Sequence, residues 1–103
     1  METTLSAVAV AQDGVVTAYI REAEISRIRE GMPVRVGSSE GVVAAAVQPI
    51  CADETFTDYV LHVGGLQRGE WLYAVTLDIA CPEGVHTAEI ITERISPMSF
   101  VMN

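Results

Sequence analysis

The sequence predicts an all-β fold: a small β-barrel or barrel-like sandwich of about six to eight mostly antiparallel strands, with one short helix at Glu22-Arg29. Three observations carry this. Turn-forming residues recur at Asp13-Gly14, Gly31, Gly37 to Gly41, Cys51 to Glu54, Gly64-Gly65, Gly69, Pro82 to Gly84 and Pro97, cutting the chain into pieces of strand length. Residues 71–81 alternate strictly, with Trp71, Tyr73, Val75, Leu77, Ile79 and Cys81 on one face. Helical spacing is read in one stretch alone, where Ile25, Ile28 and Met32 recur among Glu22, Glu24, Arg27 and Arg29.

Along the chain, strands are expected at 5–11 and 15–20, both rich in Val, Ala and Ile and separated by Asp13-Gly14. The helix that follows is two turns at most. Gly31 stands where a left-handed C-terminal cap is wanted, and Pro33 stops the helix from continuing. A helix this short does not persist alone in water, so Ile25 and Ile28 must pack against the sheet. Further strands are expected at 32–36, 42–50, 57–63, 71–81, 86–93 and 98–101. In the 57–63 strand Tyr59, Leu61 and Val63 share a face, which turns His62 away from the core. The expected core is Tyr19, Ile25, Ile28, Val34, Val36, Tyr73, Val75, Leu77 and Ile90. A barrel is preferred to a sandwich because closure hides edges that this sequence protects poorly, with no Lys anywhere and no charge between Val42 and Ile50.

The chain has 103 residues, half of them apolar, which fits one domain over residues 1–103. Six basic residues against fourteen acidic ones give a net charge of −8, the wrong balance for a nucleic-acid surface, which needs clustered cations. All six basic residues are Arg, which removes phosphate-loop, Schiff-base and biotin- or lipoate-carrying lysines together. No run of about 20 apolar residues is present to cross a bilayer, and Met1-Glu2-Thr3-Thr4 lacks the basic start of a signal peptide.

Chemistry-bearing motifs are sparse. Cys51 and His62 are the one conceivable thiolate and base pair, but Cys51 reads better as a small apolar residue at a strand end. Whether Cys51 and Cys81 form a disulfide is left open by the sequence. His86 has no companion at metal-ligand spacing. Asp53, Glu54 and Asp58 lack the alternating oxygen ligands and the glycine of a calcium loop. Gly64, Gly65 and Gly69 are followed by a strand at Trp71 rather than by a helix, so they do not make a phosphate cradle. The expectation is a chain that is not an enzyme, with no cofactor and no metal.

One stretch is more specific than composition. Tyr19 and Ile20 end a strand, Glu22 follows, Ile25 and Ile28 mark a short helix, Gly31 turns the chain, and Val34 and Val36 begin the next strand. This pattern resembles the barrel domain of the membrane fusion proteins, the haemolysin-D-like periplasmic adaptor subunits of secretion and efflux machines. Gly41-Val42-Val43 with Val47 and Ile50 resembles that family's next strand, although Pro49-Ile50 reverses its usual isoleucine-proline order. Leu66 to Gly69 and Gly84 to Ile91 resemble its last hairpin turn and closing strand, and residues 93–101 resemble the adaptors of bacteriocin-type export systems.

The resemblance implies a non-catalytic structural module excised from a longer membrane-anchored adaptor on the extracytoplasmic side. Its implied partners are an inner-membrane transporter and neighbouring adaptor protomers, with no nucleic acid and no direct insertion into the membrane. The isolated domain is expected to be a monomer. The alternative reading is a free-standing small barrel that binds a ligand or peptide. The residues left over after the strands are accounted for form the candidate partner surface: Glu22, Glu24, Arg27, Arg29, Arg68 and Trp71, since arginine beside an exposed aromatic is enriched in contact surfaces.

Overall fold

A computed structural model of the chain describes residues 2–94. Six strands, β1 (Glu2–Gln12), β2 (Val15–Arg21), β3 (Pro33–Val36), β4 (Ser39–Cys51), β5 (Trp71–Asp78) and β6 (Gly84–Arg94), close into a barrel in the order β1-β2-β5-β4-β3-β6. Every neighbouring pair is antiparallel, and β6 closes the barrel by pairing along β1 from Glu2↔Arg94 to Ala11↔Gly84. The barrel is the predicted fold. The strand expected at 98–101 lies outside the described residues.

The barrel has apolar side chains on both faces, which is why alternation in β1 is blurred. Leu5, Ala9 and Ala11 point inward with Val16, Ala18 and Ile20 of β2, Val34 and Val36 of β3, Val43 of β4, Val75 and Leu77 of β5, and Ala88 and Ile90 of β6. Val8 and Leu72 point outward into a second cluster with Ala52, Phe56, Val60 and Leu66. Fully burying a Leu, Val or Phe side chain is worth about 1.5–3 kcal/mol, so the outer layer stabilises the barrel as its interior does.

The outer layer is built by α1 (Asp58–Gly64), and here the sequence expectation fails. Residues 57–63 form a helix and not a strand. Seven residues are too few to separate a period of two from one of 3.6, and the end signals decide the matter. Thr57 is an extended N-cap whose hydroxyl accepts from the Val60 N–H at 3.2 Å, Asp58 lies favourably in the first turn, and Gly65 caps the C-terminus with φ of +62°. The helix then buries Val60 and half-buries Leu61 and Val63, while Tyr59 is exposed and His62 faces solvent. Gly64 is needed for close approach, because a Cβ there would lie 2.6 Å from Cγ1 of Val8 on the barrel wall.

The helix expected at Glu22-Arg29 contracts to one 3-10 turn, Ile25–Arg27. Its end is Ile28 in extended backbone, and Gly31, with φ of +88°, serves the next turn instead of the cap. The turn crosses one end of the barrel, where Ile25, Ile28 and Met32 are half-buried against the interior cluster. Of the expected core, Val34, Val36, Val75, Leu77 and Ile90 are buried, whereas Tyr19, Ile25, Ile28 and Tyr73 are only partly so. Tyr19 lies on the outer face, its ring tilted against Phe56 at a centroid distance of 4.8 Å. Burial raises the pKa of its phenol.

β5 stops at Asp78 rather than at Cys81, and its two faces invert the expectation at their start: Leu72 is buried while Trp71 is exposed. Both thiols are free, Cys51 at the end of β4 and Cys81 beyond the far end of β5.

Candidate partner surface at the strand-end rim

One end of the barrel gathers the last residues of β2 and β4, the first of β5, the 3-10 turn and the C-terminus of α1. β2 brings Arg21 alongside Leu72, and β4 brings Cys51 alongside Trp71. Arg21 is the fastener of this rim. Its Nε lies 3.3 Å from the Glu70 carboxylate, and its Nη2 donates to the carbonyl of Gly65, the cap of α1. Glu70 in turn accepts from the Gln67 N–H at 3.0 Å, so the β2 end, the helix cap and the loop before β5 are tied by one guanidinium.

The candidate residues fall into two groups on this rim. Glu22 and Glu24 occupy the turn after Arg21, where the Glu24 N–H donates to the Arg21 carbonyl at 2.9 Å. Glu24 borders a small hollow with Gly64 and Leu66, which makes it continuous with the loop carrying Arg68 and Trp71. Arg27 turns the other way: its Nη2 lies 3.3 Å from Thr92 Oγ1 on β6, and its Nη1 lies 3.7 Å from Glu24. Arg29 follows it and is exposed.

Arg68 is less free than the sequence implied. Its Nη1 donates to the carbonyls of Asp53 at 2.7 Å and Phe56 at 3.2 Å, and its Nη2 meets Asp58 Oδ1 at 2.9 Å. It therefore clamps the loop between β4 and α1, and loses much of its claim as a contact residue. In the same loop Asp53 accepts from the Thr55 hydroxyl at 2.6 Å and its N–H at 2.9 Å, and these bonds hold the Asp53 carboxyl below its ordinary pKa. The acidic cluster is a hydrogen-bonded turn. His86 is half-buried with Nε2 2.6 Å from the Pro82 carbonyl. Among the described residues, no group of three His, Cys, Asp or Glu side chains is placed to hold a metal, and no helix is long and apolar enough to cross a membrane.

Trp71 is the strongest feature of the rim, 62% exposed and with no partner ring among the described residues. It belongs to the face that lines the barrel further along β5, since Trp71, Tyr73 and Val75 alternate with Leu72 and Ala74. β4 supplies the matching residues Cys51, Pro49 and Val47, directly paired with Trp71, Tyr73 and Val75. Val75 is sealed inside, but its partner Val47 is 45% exposed. The inner face of the β4–β5 ribbon thus runs out past the closed part of the barrel and meets solvent.

The cause is the length of β4. β3 is four residues long and reaches β4 only at Ser39–Val42, and the exchange between Val43 and residues 31 and 32 adds one more step. From Val47 to Cys51, β4 pairs with β5 on one edge, and among the described residues no strand pairs with the other. A register shift between Val43 and Val47 gives β4 extra residues, Ala44 to Ala46, opposite the Thr76 region of β5. Closure was expected to hide the uncharged 42–50 stretch, but it hides only its beginning. The lengths decide this, four residues in β3 against thirteen in β4, and the sequence reading did not compare them.

Comparison with protein-family models, with curated proteins and with solved structures finds no match for this chain.

Proposed function

We propose that this chain is a non-catalytic contact module of a secretion or efflux adaptor, working on the extracytoplasmic side against an inner-membrane transporter and neighbouring adaptor protomers. The observation that carries the reading is the exposed Trp71 at the rim end of β5, next to the Arg21↔Leu72 pair through which Arg21 ties β2 to Glu70. A large aromatic left in solvent is typical of a contact centre, where Trp and Arg are enriched. Support also comes from residues 16–36. The stretch that carries the resemblance to the membrane fusion proteins folds as strand, short turn and strand, with Ile25 and Ile28 set across the barrel end.

The test separates contact from stability. Arg27→Glu with Arg29→Glu, and separately Trp71→Ala, are made in the protein that carries this domain, with export or assembly with its transporter as the readout. Arg29 and Trp71 are exposed and Arg27 is half-exposed in a long surface ion pair, so the melting temperature of the domain is expected to change by no more than about 2 °C. Export or assembly should fall at least about tenfold. Unchanged export in both variants removes the rim as a contact surface. Arg68 is unsuited to this test because its removal releases the loop before α1.

A further inference from the structure

We infer that the hollow lined by Arg21 and Arg68 holds a carboxylate, the Asp or Glu side chain of a partner protein. The inference rests on the reading of this chain as a contact module, and it names the chemistry that the partner brings.

The hollow has a volume of about 590 Å³ and is lined by Arg21, Gln67, Arg68, Gly69 and Glu70. Two of the six cations of a chain with net charge −8 therefore open on one place, although one comes from β2 and the other from the loop before β5. Both are already fixed. Arg21 gives Nη2 to the Gly65 carbonyl and sets Nε 3.3 Å from Glu70. Arg68 gives Nη1 to the carbonyls of Asp53 and Phe56, and Nη2 to Asp58. So held, Arg68 is no swinging contact arm but a stationary charge. A guanidinium carries five N–H groups, and these bonds leave Nη1 of Arg21 and Nε of Arg68 without a partner among the described residues. The fold has thus ordered two long side chains in advance, a cost that binding would otherwise bear.

The surrounding charges select the ligand. Glu70 does not compete for the open donors, because its Oε1 accepts from the Gln67 N–H at 3.0 Å and its Oε2 faces Arg21. The Asp58 side chain is fully exposed, so solvent screens its pair with Arg68. Two arginines and two carboxylates already balance here, which makes a group of one negative charge better tolerated than a phosphate of nearly two. A carboxylate also matches the paired N–H groups of a guanidinium. Gly69 adds no side chain to the hollow, and Trp71, one residue beyond Glu70, is exposed to receive an apolar neighbour of the bound acid. Two copies of this chain, each at −8, repel one another, so the acid is assigned to a different protein.

The probe is the blocked tetrapeptide acetyl-Gly-Glu-Leu-Gly-amide, titrated into the 15N-labelled full chain. A Kd on the order of millimolar is expected, since partly exposed charges compete with water. Chemical-shift changes should centre on the amides of Gln67, Gly69 and Glu70 and on the Nε of Arg21 and Arg68. The same peptide with Gln for Glu leaves the protein untouched and should bind at least about tenfold more weakly. In the protein, Arg21→Lys keeps the charge but loses the planar fork, and should weaken the Glu peptide at least about threefold. Should that variant unfold, the peptide pair alone decides.

Equal binding of the Glu and Gln peptides overturns the proposal. If their shifts then centre on the Trp71 indole, the contact surface stands and only the hollow falls. No shift at about 20 mM peptide also overturns it, and leaves the rim to the export test. Inorganic phosphate binding more tightly than the Glu peptide makes this a phosphate site, and acetate binding as tightly makes it a site for a free acid. Self-association that Arg21→Lys abolishes gives the hollow to a second copy. Each of these three results overturns the assignment.

Discussion

Ile90→Ala is expected to lower the free energy of unfolding by about 2–5 kcal/mol. Ile90 is fully buried and is paired with Leu5 on one side and Val34 on the other, so it is packed at the junction of three strands. Its surroundings cannot close over the gap. Much of the interior is already alanine, at positions 9, 11, 18 and 88, and small side chains on a hydrogen-bonded wall have nothing to move into a cavity. A loss of that size is a large part of the roughly 5–15 kcal/mol that holds a domain together. Urea unfolding should show the midpoint falling with little change in slope. A loss below about 1 kcal/mol would mean that the inner cluster is not packed as described.

Gly41→Ala is expected to cost about 1–3 kcal/mol, by the opposite route of overfilling. A Cβ at Gly41 would collide with the carbonyl oxygen of Asp78, and would lie 2.7 and 2.9 Å from Cβ and Cα of Ile79. These neighbours are main chain or next to it, so no flexible tip can swing aside. Relief requires β4 and β5 to part near Val42↔Asp78, one end of their ladder. Thermal unfolding checks this directly, and a melting temperature within about 1 °C of the parent chain would contradict the close approach.

Much of this fold was legible because five of the strands carry runs rich in Val, Ile and Ala bounded by turn residues, and β5 declared itself by alternation. β1 was legible as a strand but not as a two-faced one, since Val8 and Ala9 are adjacent, both buried, and belong to different clusters. The helix was misread because the alternation of Tyr59, Leu61 and Val63 is also compatible with a helix face built on Val60, Leu61 and Val63. Thr57 and Gly65, the caps, held the answer. The rim was partly legible. Trp71 was singled out and is exposed, yet Arg68, chosen for its charge, proves to serve three oxygen atoms of its own fold. Arg21 and Glu70 were passed over because pairing between residues 49 positions apart leaves no mark on the local sequence. The open edge of β4 depends on the length of β3, a boundary that local pattern defines poorly.

The central claim is that β3 covers only the first half of β4, and that the second half pairs with β5 alone among the described residues. Residue-resolved amide hydrogen exchange on the full chain tests it most directly. Amides of Ala9, Ala18, Val75 and Ile90, inside paired strands, are predicted to exchange at the slowest rates, limited by global unfolding. Along β4, protection should be high through Val43 and then fall, with fast exchange at those amides between Ala44 and Gln48 that face away from β5. Uniformly slow exchange from Ser39 to Gln48 would show a fully covered strand and contradict the account.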